Sequence, residues 1–456
     1  MALPSQSTLF FFQRPQWALA GSFLGLIALG TLLLALPVSH GARQISALDA
    51  LFTSTSAVCV TGLVVVDTGT DYSRFGHTVI MLLMQLGGLG IMTFAVLGTQ
   101  LLGRRLSLQS QAMIAETFWQ SDAASTVRRD LKRIVGMTLL IEAIGMLFLY
   151  GHFRHVTGYE HSAPFSAAFH AVSAFCNAGF SLHSDSMMHF RSSPLVMFVI
   201  MGLVFFGGIG HSVTLEAIRR SLTRITGSQK GSVNWSLHSR VVLSVSLFLI
   251  VAGSVLLYVS GADRETASFA QRWLDVLFQS VASRTAGFNS VDISRLPLAS
   301  LLVLVLLMFI GGAPASCAGG IKVTSTAVYF AEVRARLTGA REAALFGRRL
   351  PTDVIAKATL VISLSVLWNL IGCLLLTITE RSSTGIHLEQ LLFEQVSAFG
   401  TVGLSTGITP ELSTPGRIWI ILSMFVGRIG PLTAAMAMMP KESGGIRYPE
   451  ERLMIG

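Results

Sequence analysis

Charge is what this sequence has least of. Only 12% of its 456 residues are Asp, Glu, Lys or Arg, about half the share in a soluble domain. With 52% hydrophobic residues, such a chain excludes a soluble globular fold and reads as a polytopic membrane protein. Cysteine is scarce too. Cys59, Cys176, Cys317 and Cys373 stand singly, with no C-x-x-C pair, so neither a disulfide framework nor a zinc site is indicated. No nucleophile–base pair or metal cluster is legible at membrane depth, so the chain does not read as an enzyme. The apolar run from Trp17 to Leu36 is longer than the about 7–15 residues of a secretory signal core, and reads as a retained membrane helix.

The formal charge of +9 does not point to nucleic acid. About half of the Lys and Arg fall in three loops, within 104–133, 219–240 and 334–357, while the other loops carry scattered single charges such as Arg43, Arg154 and Arg381. This is the positive-inside pattern, and it puts the three loops and both termini in the cytoplasm.

What the sequence does contain is one unit written four times. The stretches "TSAVCVTGL", "SAFCNAGFSL", "SVASRTAGF" and "VSAFGTVGL" align on Gly62, Gly179, Gly287 and Gly403. Alanine lies five residues before each glycine (Ala57, Ala174, Ala282, Ala398), and a large apolar residue follows each one. Asn177, Thr285 and Thr401 make the position two before the glycine polar, whereas the first copy has its polar residue one place later, at Thr61. A short amphipathic segment precedes each stretch: Asp49–Ala57, Ser166–Ala174, Leu274–Ala282 and Glu389–Ala398. At about three turns it is too short to span a bilayer core of about 30 Å. Long apolar runs flank each unit, near 17–38, 131–153, 238–260 and 355–379 before it, and near 76–102, 194–218, 300–335 and 416–439 after it.

The expected fold is therefore an all-α polytopic membrane protein of four covalently linked helix–pore-helix–helix (M1-P-M2) repeats with pseudo-fourfold symmetry around a central pore. The repeats are expected at 1–102, 131–220, 238–337 and 355–440, with cytoplasmic linkers at 103–130, 221–237 and 338–354 and a tail at 441–456. Glycine clusters recur in the second long helices: Gly87-Gly88-Leu89-Gly90, Gly207-Gly208-Ile209-Gly210, Gly311-Gly312 and Gly427-Arg428-Ile429-Gly430. These read mainly as close-packing positions. Arg428 is not explained that way.

Non-helical backbone at membrane depth is tolerated only where it is buried or lines a water-filled cavity. Four such segments around one axis bring backbone carbonyls to a narrow pore, an arrangement that replaces the hydration shell of a potassium ion. The glycine supplies a backbone angle that a side chain would penalise. The short helices aim their negative ends at the same place.

On "TSAVCVTGLVVVDTGT", "SAFCNAGFSLHSDSMM", "SRTAGFNSVD", "AGGIKVTS" and "GRIGPLT" the chain resembles the Trk/Ktr/HKT superfamily of potassium translocators, most of all the KtrB-type membrane subunits of bacterial Ktr systems. The resemblance implies a K+-selective filter formed by Val60, Thr61 and Gly62; Asn177, Ala178 and Gly179; Thr285, Ala286 and Gly287; and Thr401, Val402 and Gly403. It implies no cofactor other than the transported K+. It further implies a homodimer in the bacterial cytoplasmic membrane and a cytoplasmic ring of nucleotide-binding RCK-domain subunits. Na+ dependence stays open.

Two gate elements are expected. The segment "GGAPASCAGGIKVTS" places Gly311, Gly312, Ala313, Pro314, Ala315, Ser316, Cys317, Ala318, Gly319 and Gly320 inside what should be a membrane helix. Proline costs about 3 kcal/mol and glycine about 1 kcal/mol in a helix interior, so this helix is broken. It reads either as a static kink or as a mobile intramembrane loop, and the family resemblance favours the loop. Arg428 is read as a barrier beneath the filter or as one half of an ion pair, with Glu142 as a conceivable partner. Lys322 is assigned no role, and His170 and His211 read as packing residues. The competing reading of the whole chain is an alternating-access Na+- or H+-coupled symporter, since broken helices and repeats mark those folds too.

Overall fold

Four short helices buried at the centre of the molecule each end just before a glycine, and each lies between two apolar helices. The computed structural model describes residues 15–90, 124–155, 162–225, 235–262, 268–381 and 385–438. Arg104, Arg105, Lys230 and the 441–456 tail lie outside the described residues. The first unit is α1 (Pro15–Leu34), the short α2 (Ala47–Val58) and α3 (Arg74–Gly88). The second is α4 (Ala124–Phe153), the short α5 (Ala163–Phe175), α6 (Pro194–Gly208) and α7 (His211–Ile225). The third is α8 (Leu237–Ser260), the short α9 (Phe269–Ala282), α10 (Leu298–Phe309) and α11 (Val323–Leu337). The fourth is α12 (Thr352–Thr379), the short α13 (Leu388–Gly400), α14 (Thr414–Ile429) and α15 (Pro431–Met438).

Local chemistry starts the short helices. In α2 the Ser46 hydroxyl accepts from Asp49 N–H at 3.1 Å and donates to the Asp49 carboxylate at 2.7 Å. That acid sits in the first turn, where the helix dipole favours it. The short helices start one to five residues earlier than their amphipathic cores suggest, and α13 runs two residues further. At about 20 Å they still fall short of a bilayer. The segments Lys132–Phe153, Leu237–Ser260 and Thr352–Thr379 are long and apolar enough to cross one. Their outward faces are apolar: Leu140, Leu147, Leu247, Phe248 and Leu370 are all exposed. In water such a surface would aggregate, whereas lipid covers it without cost.

The second long helices differ from expectation. In the first, second and fourth units they were expected to run on through their glycine clusters, but each of these helices ends there. Helices α6 and α7 meet at 108°. The last glycine of the cluster is the cause: Gly90, Gly210 and Gly430 have φ of +81°, +88° and +95°, where a right-handed helix cannot continue. The close-packing reading does hold for the first glycine of each cluster. A methyl group on Gly87, Gly207 or Gly427 would strike the carbonyl oxygen of Val58, Phe175 or Phe399. Each of those carbonyls lies four residues before the glycine of its own unit.

The 338–354 linker is partly ordered. Strands β1 (Ala344–Leu345) and β2 (Arg348–Arg349) pair antiparallel around Phe346 and Gly347, with φ of +50° and +75°. Neighbouring units are fastened at their outer ends. Arg417, in the first turn of α14, meets Asp49 of α2 at 3.0 Å. Arg191, just before α6, meets Asp275 of α9 at 2.8 Å. Arg74, which opens α3, lies 4.6 Å from the ring centre of Phe165 in α5.

Candidate functional site

At the end of each short helix the chain makes the same two unusual turns. The residue two before each glycine is left-handed: Val60, Asn177, Thr285 and Thr401 have φ of +56°, +58°, +68° and +49°. Three of these are β-branched, for which this region costs about 1–3 kcal/mol. The position had been read as polar from three copies. Val60 in the first copy shows that the shared property is the backbone turn. The glycines follow, with φ of +91°, +69°, +71° and +94° at Gly62, Gly179, Gly287 and Gly403.

The four glycines close a ring. A methyl group on Gly179 would lie 2.8 Å from the Ala286 oxygen and 3.0 Å from Gly287 Cα. On Gly287 it would meet the Val402 oxygen at 2.5 Å and Gly403 Cα at 3.1 Å. On Gly403 it would strike the Thr61 oxygen and lie 3.1 Å from Gly62 Cα, and on Gly62 it would strike the Ala178 oxygen. Each glycine therefore backs onto the carbonyl preceding the next one, in chain order, and the fourth returns to the first. Thus all twelve residues proposed for the filter lie on one ring of backbone or immediately before it. A cavity of about 550 Å³ opens above this ring, and all four glycines line it. Asp67, Asp71 and Asp292 stand in the same mouth with Arg43 and His183.

Hydrogen bonds hold the ring from behind, and most of them were not read from the sequence. Ser56 and Ser397 accept from the N–H of Gly62 and Gly403 at 3.0 and 3.1 Å. Ser173 donates to the Phe180 carbonyl at 2.7 Å. All three serines lie six residues before their glycine, a repeat that alignment on the glycines would have revealed. The third unit has Val281 there and uses another device. The Arg284 guanidinium, nearly buried, donates to Ser246 O and Oγ at 3.2 and 3.1 Å and to Gly311 O at 3.4 Å.

Beneath the ring the third unit is broken at Ile310–Lys322, where the sequence predicted a loop. Gly311 N–H donates to Ile321 O at 2.8 Å and Val323 N–H to Gly312 O at 3.0 Å, so the loop is closed at its base. Its tip crosses to the second unit: Ala313 and Cys317 N–H donate to Gly208 and Gly207 carbonyls at 2.9 and 3.1 Å, and His211 N–H donates to Ala315 O at 3.2 Å. A methyl group on Gly319 would lie 2.9 Å from Thr401 Cγ2, so the loop sits against the fourth strand of the ring. Pro314, Ala315 and Ser316 form its turn, with Ser316 Oγ bonded to Ala313 O at 2.6 Å. Gly320 approaches Gly400, and Lys322 Nζ donates to Ala318 O at 2.6 Å.

Arg428 joins this loop to the first unit by donating to the carbonyls of Cys317, Gly87 and Gly88. The ion pair with Glu142 is not found. Glu142 is buried beside Cys176, whose Sγ is 4.0 Å away. Arg428 is satisfied by carbonyls because the ends of the broken helices leave theirs free. His170 is a packing residue with more partners than expected: Ser166 O at 2.7 Å and Ser181 Oγ at 3.1 Å.

Four M1-P-M2 units in one chain, closed around a ring of backbone carbonyls under a wide mouth, define a membrane transport protein for cations. The family follows directly from comparison: the chain belongs to the TrkH family of cation transport proteins, whose model matches residues 18–445. It is 39% identical to the Ktr system potassium uptake protein B of Vibrio alginolyticus over 439 residues, 95% of this chain and 93% of that protein. The protein of the same name in Bacillus subtilis is 39% identical over 450 residues, 98% of this chain and 97% of the relative. Over 450 residues the chain is 32% identical to the potassium/sodium uptake protein NtpJ of Enterococcus hirae, 97% of each chain. The crystal structure of the potassium transporter TrkH from Vibrio parahaemolyticus superposes with a TM-score of 0.68 at 21% identity, over 92% of this chain and 85% of that one. That likeness shows the fold.

Proposed function

We propose that this chain is the ion-translocating subunit of a potassium uptake system. K+ passes through the ring of Gly62, Gly179, Gly287 and Gly403, with carbonyls of Val60 to Gly62, Asn177 to Gly179, Thr285 to Gly287 and Thr401 to Gly403 in place of its water. The observation that carries the reading is the closed ring itself, in which each glycine leaves room for nothing but the next carbonyl. The acidic mouth supports it by concentrating cations. The names of the two Ktr relatives, similar over almost the whole chain, support potassium as the ion. Sodium in the name of the Enterococcus relative supports Na+ as a second ion of the process.

Gly311–Gly320 and Arg428 form the gate. The loop lies across the path below the ring, and the guanidinium adds a positive charge that a cation must pass. Two copies pair in the bacterial cytoplasmic membrane with both termini inside, and a ring of RCK-domain subunits docks on the inner face. The exposed basic Arg348–Arg349 ribbon and the Arg334–Lys357 cluster support that docking. The test is Gly62→Ser. Its side chain would meet the Ala178 carbonyl at a φ of +91°, so K+ over Na+ permeability should fall about tenfold, the equivalent of ~1.4 kcal/mol. An unchanged ratio in folded protein removes the filter assignment.

A further inference from the structure

Behind the fourth strand of the ring lies a carboxylate that the account so far leaves unused. Glu394 is fully buried in α13, nine residues before Gly403. One of its oxygens accepts from Ser405 Oγ and from Thr406 N–H at 3.1 Å, and the other accepts from Thr409 Oγ1 at 2.9 Å. Ser405 in turn accepts from Gly407 N–H at 2.9 Å. Ser405, Thr406, Gly407 and Thr409 all line the mouth above the glycines. The whole wall of the fourth unit therefore hangs on one acceptor-only side chain. Among the described residues no basic group lies within ion-pair distance of it, and its partners are neutral donors.

The second unit repeats the construction with different chemistry. His170 also lies nine residues before its glycine and is also fully buried, and it reaches Ser181, which, like Ser405, lies two residues after its glycine. In the third unit that register holds Phe278, and a neighbouring pair, Gln279 to Ser290 at 3.5 Å, one residue out of step on each side, links short helix and mouth wall instead. The second and fourth units thus share one register from short helix to mouth wall. Only the fourth unit fills it with a carboxylate: the corresponding residues are Thr53, His170 and Phe278.

We propose that Glu394 is a positioning residue that sets ion specificity: its two carboxyl oxygens fix the outer strand after Gly403. The inference rests on the ring being the filter. A carboxylate can accept from three donors at once. A neutral amide of the same shape turns an N–H₂ toward at least one of them.

The experiment is ⁸⁶Rb⁺ uptake into proteoliposomes holding the full chain, titrated with K⁺ and with Na⁺, for Glu394→Gln, Glu394→Asp, Thr409→Val and, in parallel, Gly62→Ser. Glu394→Gln should raise the KM for K⁺ about tenfold, the worth of one hydrogen bond, and lower the K⁺ preference, while the maximal rate changes less. Glu394→Asp keeps the carboxyl group and should recover most of the KM shift. If Glu394→Gln does not fold, Thr409→Val removes one donor from the other side and should raise KM in the same direction by a smaller factor. Folded variants with wild-type KM and wild-type preference overturn the proposal. If Gly62→Ser alone shifts the preference, Glu394 is only structural and the filter reading stands. If neither shifts it, both fall.

Discussion

Val60, Thr285 and Thr401 hold a backbone conformation that β-branched residues avoid, and they hold it at equivalent places. Strain repeated at one register of each unit is stored by the surrounding packing and marks a place where conformation matters more than local stability. Arg428 is the other residue whose context decides its role. It donates to Cys317 in the loop and to Gly87 and Gly88 of the first unit, so it ties the loop to that unit as well as carrying the charge proposed for the gate. Glutamine can hold at most part of that set. Arg428→Gln should therefore raise cation flux in planar bilayers several-fold. A fall in flux would make the arginine a structural brace only. Glycine spacing made the ring legible in the sequence, and the proline and glycines of 311–320 announced the broken helix. Ser56, Ser173 and Ser397, six residues before three of the glycines, were legible by alignment and not read; the Glu394 and His170 struts were not seen because their partners follow the glycine and become neighbours only after the chain reverses.

Among the elements, the loop from Ile310 to Lys322 is held by bonds to the second unit, by Arg428 of the fourth and by its own paired base. Its buried side chains Ala313, Cys317 and Ala318 are small, and such a segment opens at lower cost than the helices around it. Shortening the loop within Ala313–Gly319 should raise basal uptake and lower the thermal midpoint by only a few degrees, since few large side chains are lost. Uptake at or below the wild-type rate in a folded variant would remove the loop from the gate. The breaks in the other second helices were missed because a lone G-x-G in an apolar run reads equally as packing or as termination. The backbone angle separates the two, and sequence alone does not carry it.

For the molecule as a whole, the claim is that four units act as one closed structure. The fasteners between them are few and specific. Arg417 to Asp49 joins the fourth unit to the first and is mostly buried, with side chains 22% and 7% exposed. Asp49→Asn removes the charged partner and leaves the guanidinium chiefly on the Leu412 and Pro410 carbonyls, and should cost about 2 kcal/mol, read as a lower thermal midpoint in detergent. No change would mean that packing alone closes the ring. Fold class and repeat number were readable because each unit carries its own glycine and a basic linker separates it from the next. The order in which the units meet became visible only in the contacts between neighbouring glycines.

The central claim is that the ring alone selects potassium. The most direct test is ⁸⁶Rb⁺ uptake into proteoliposomes that hold only this chain, competed separately by K⁺ and by Na⁺. Uptake suppressed by K⁺ and hardly by Na⁺ is the predicted result, with any partner subunit left as a regulator. Equal suppression by the two ions would contradict the account at its root.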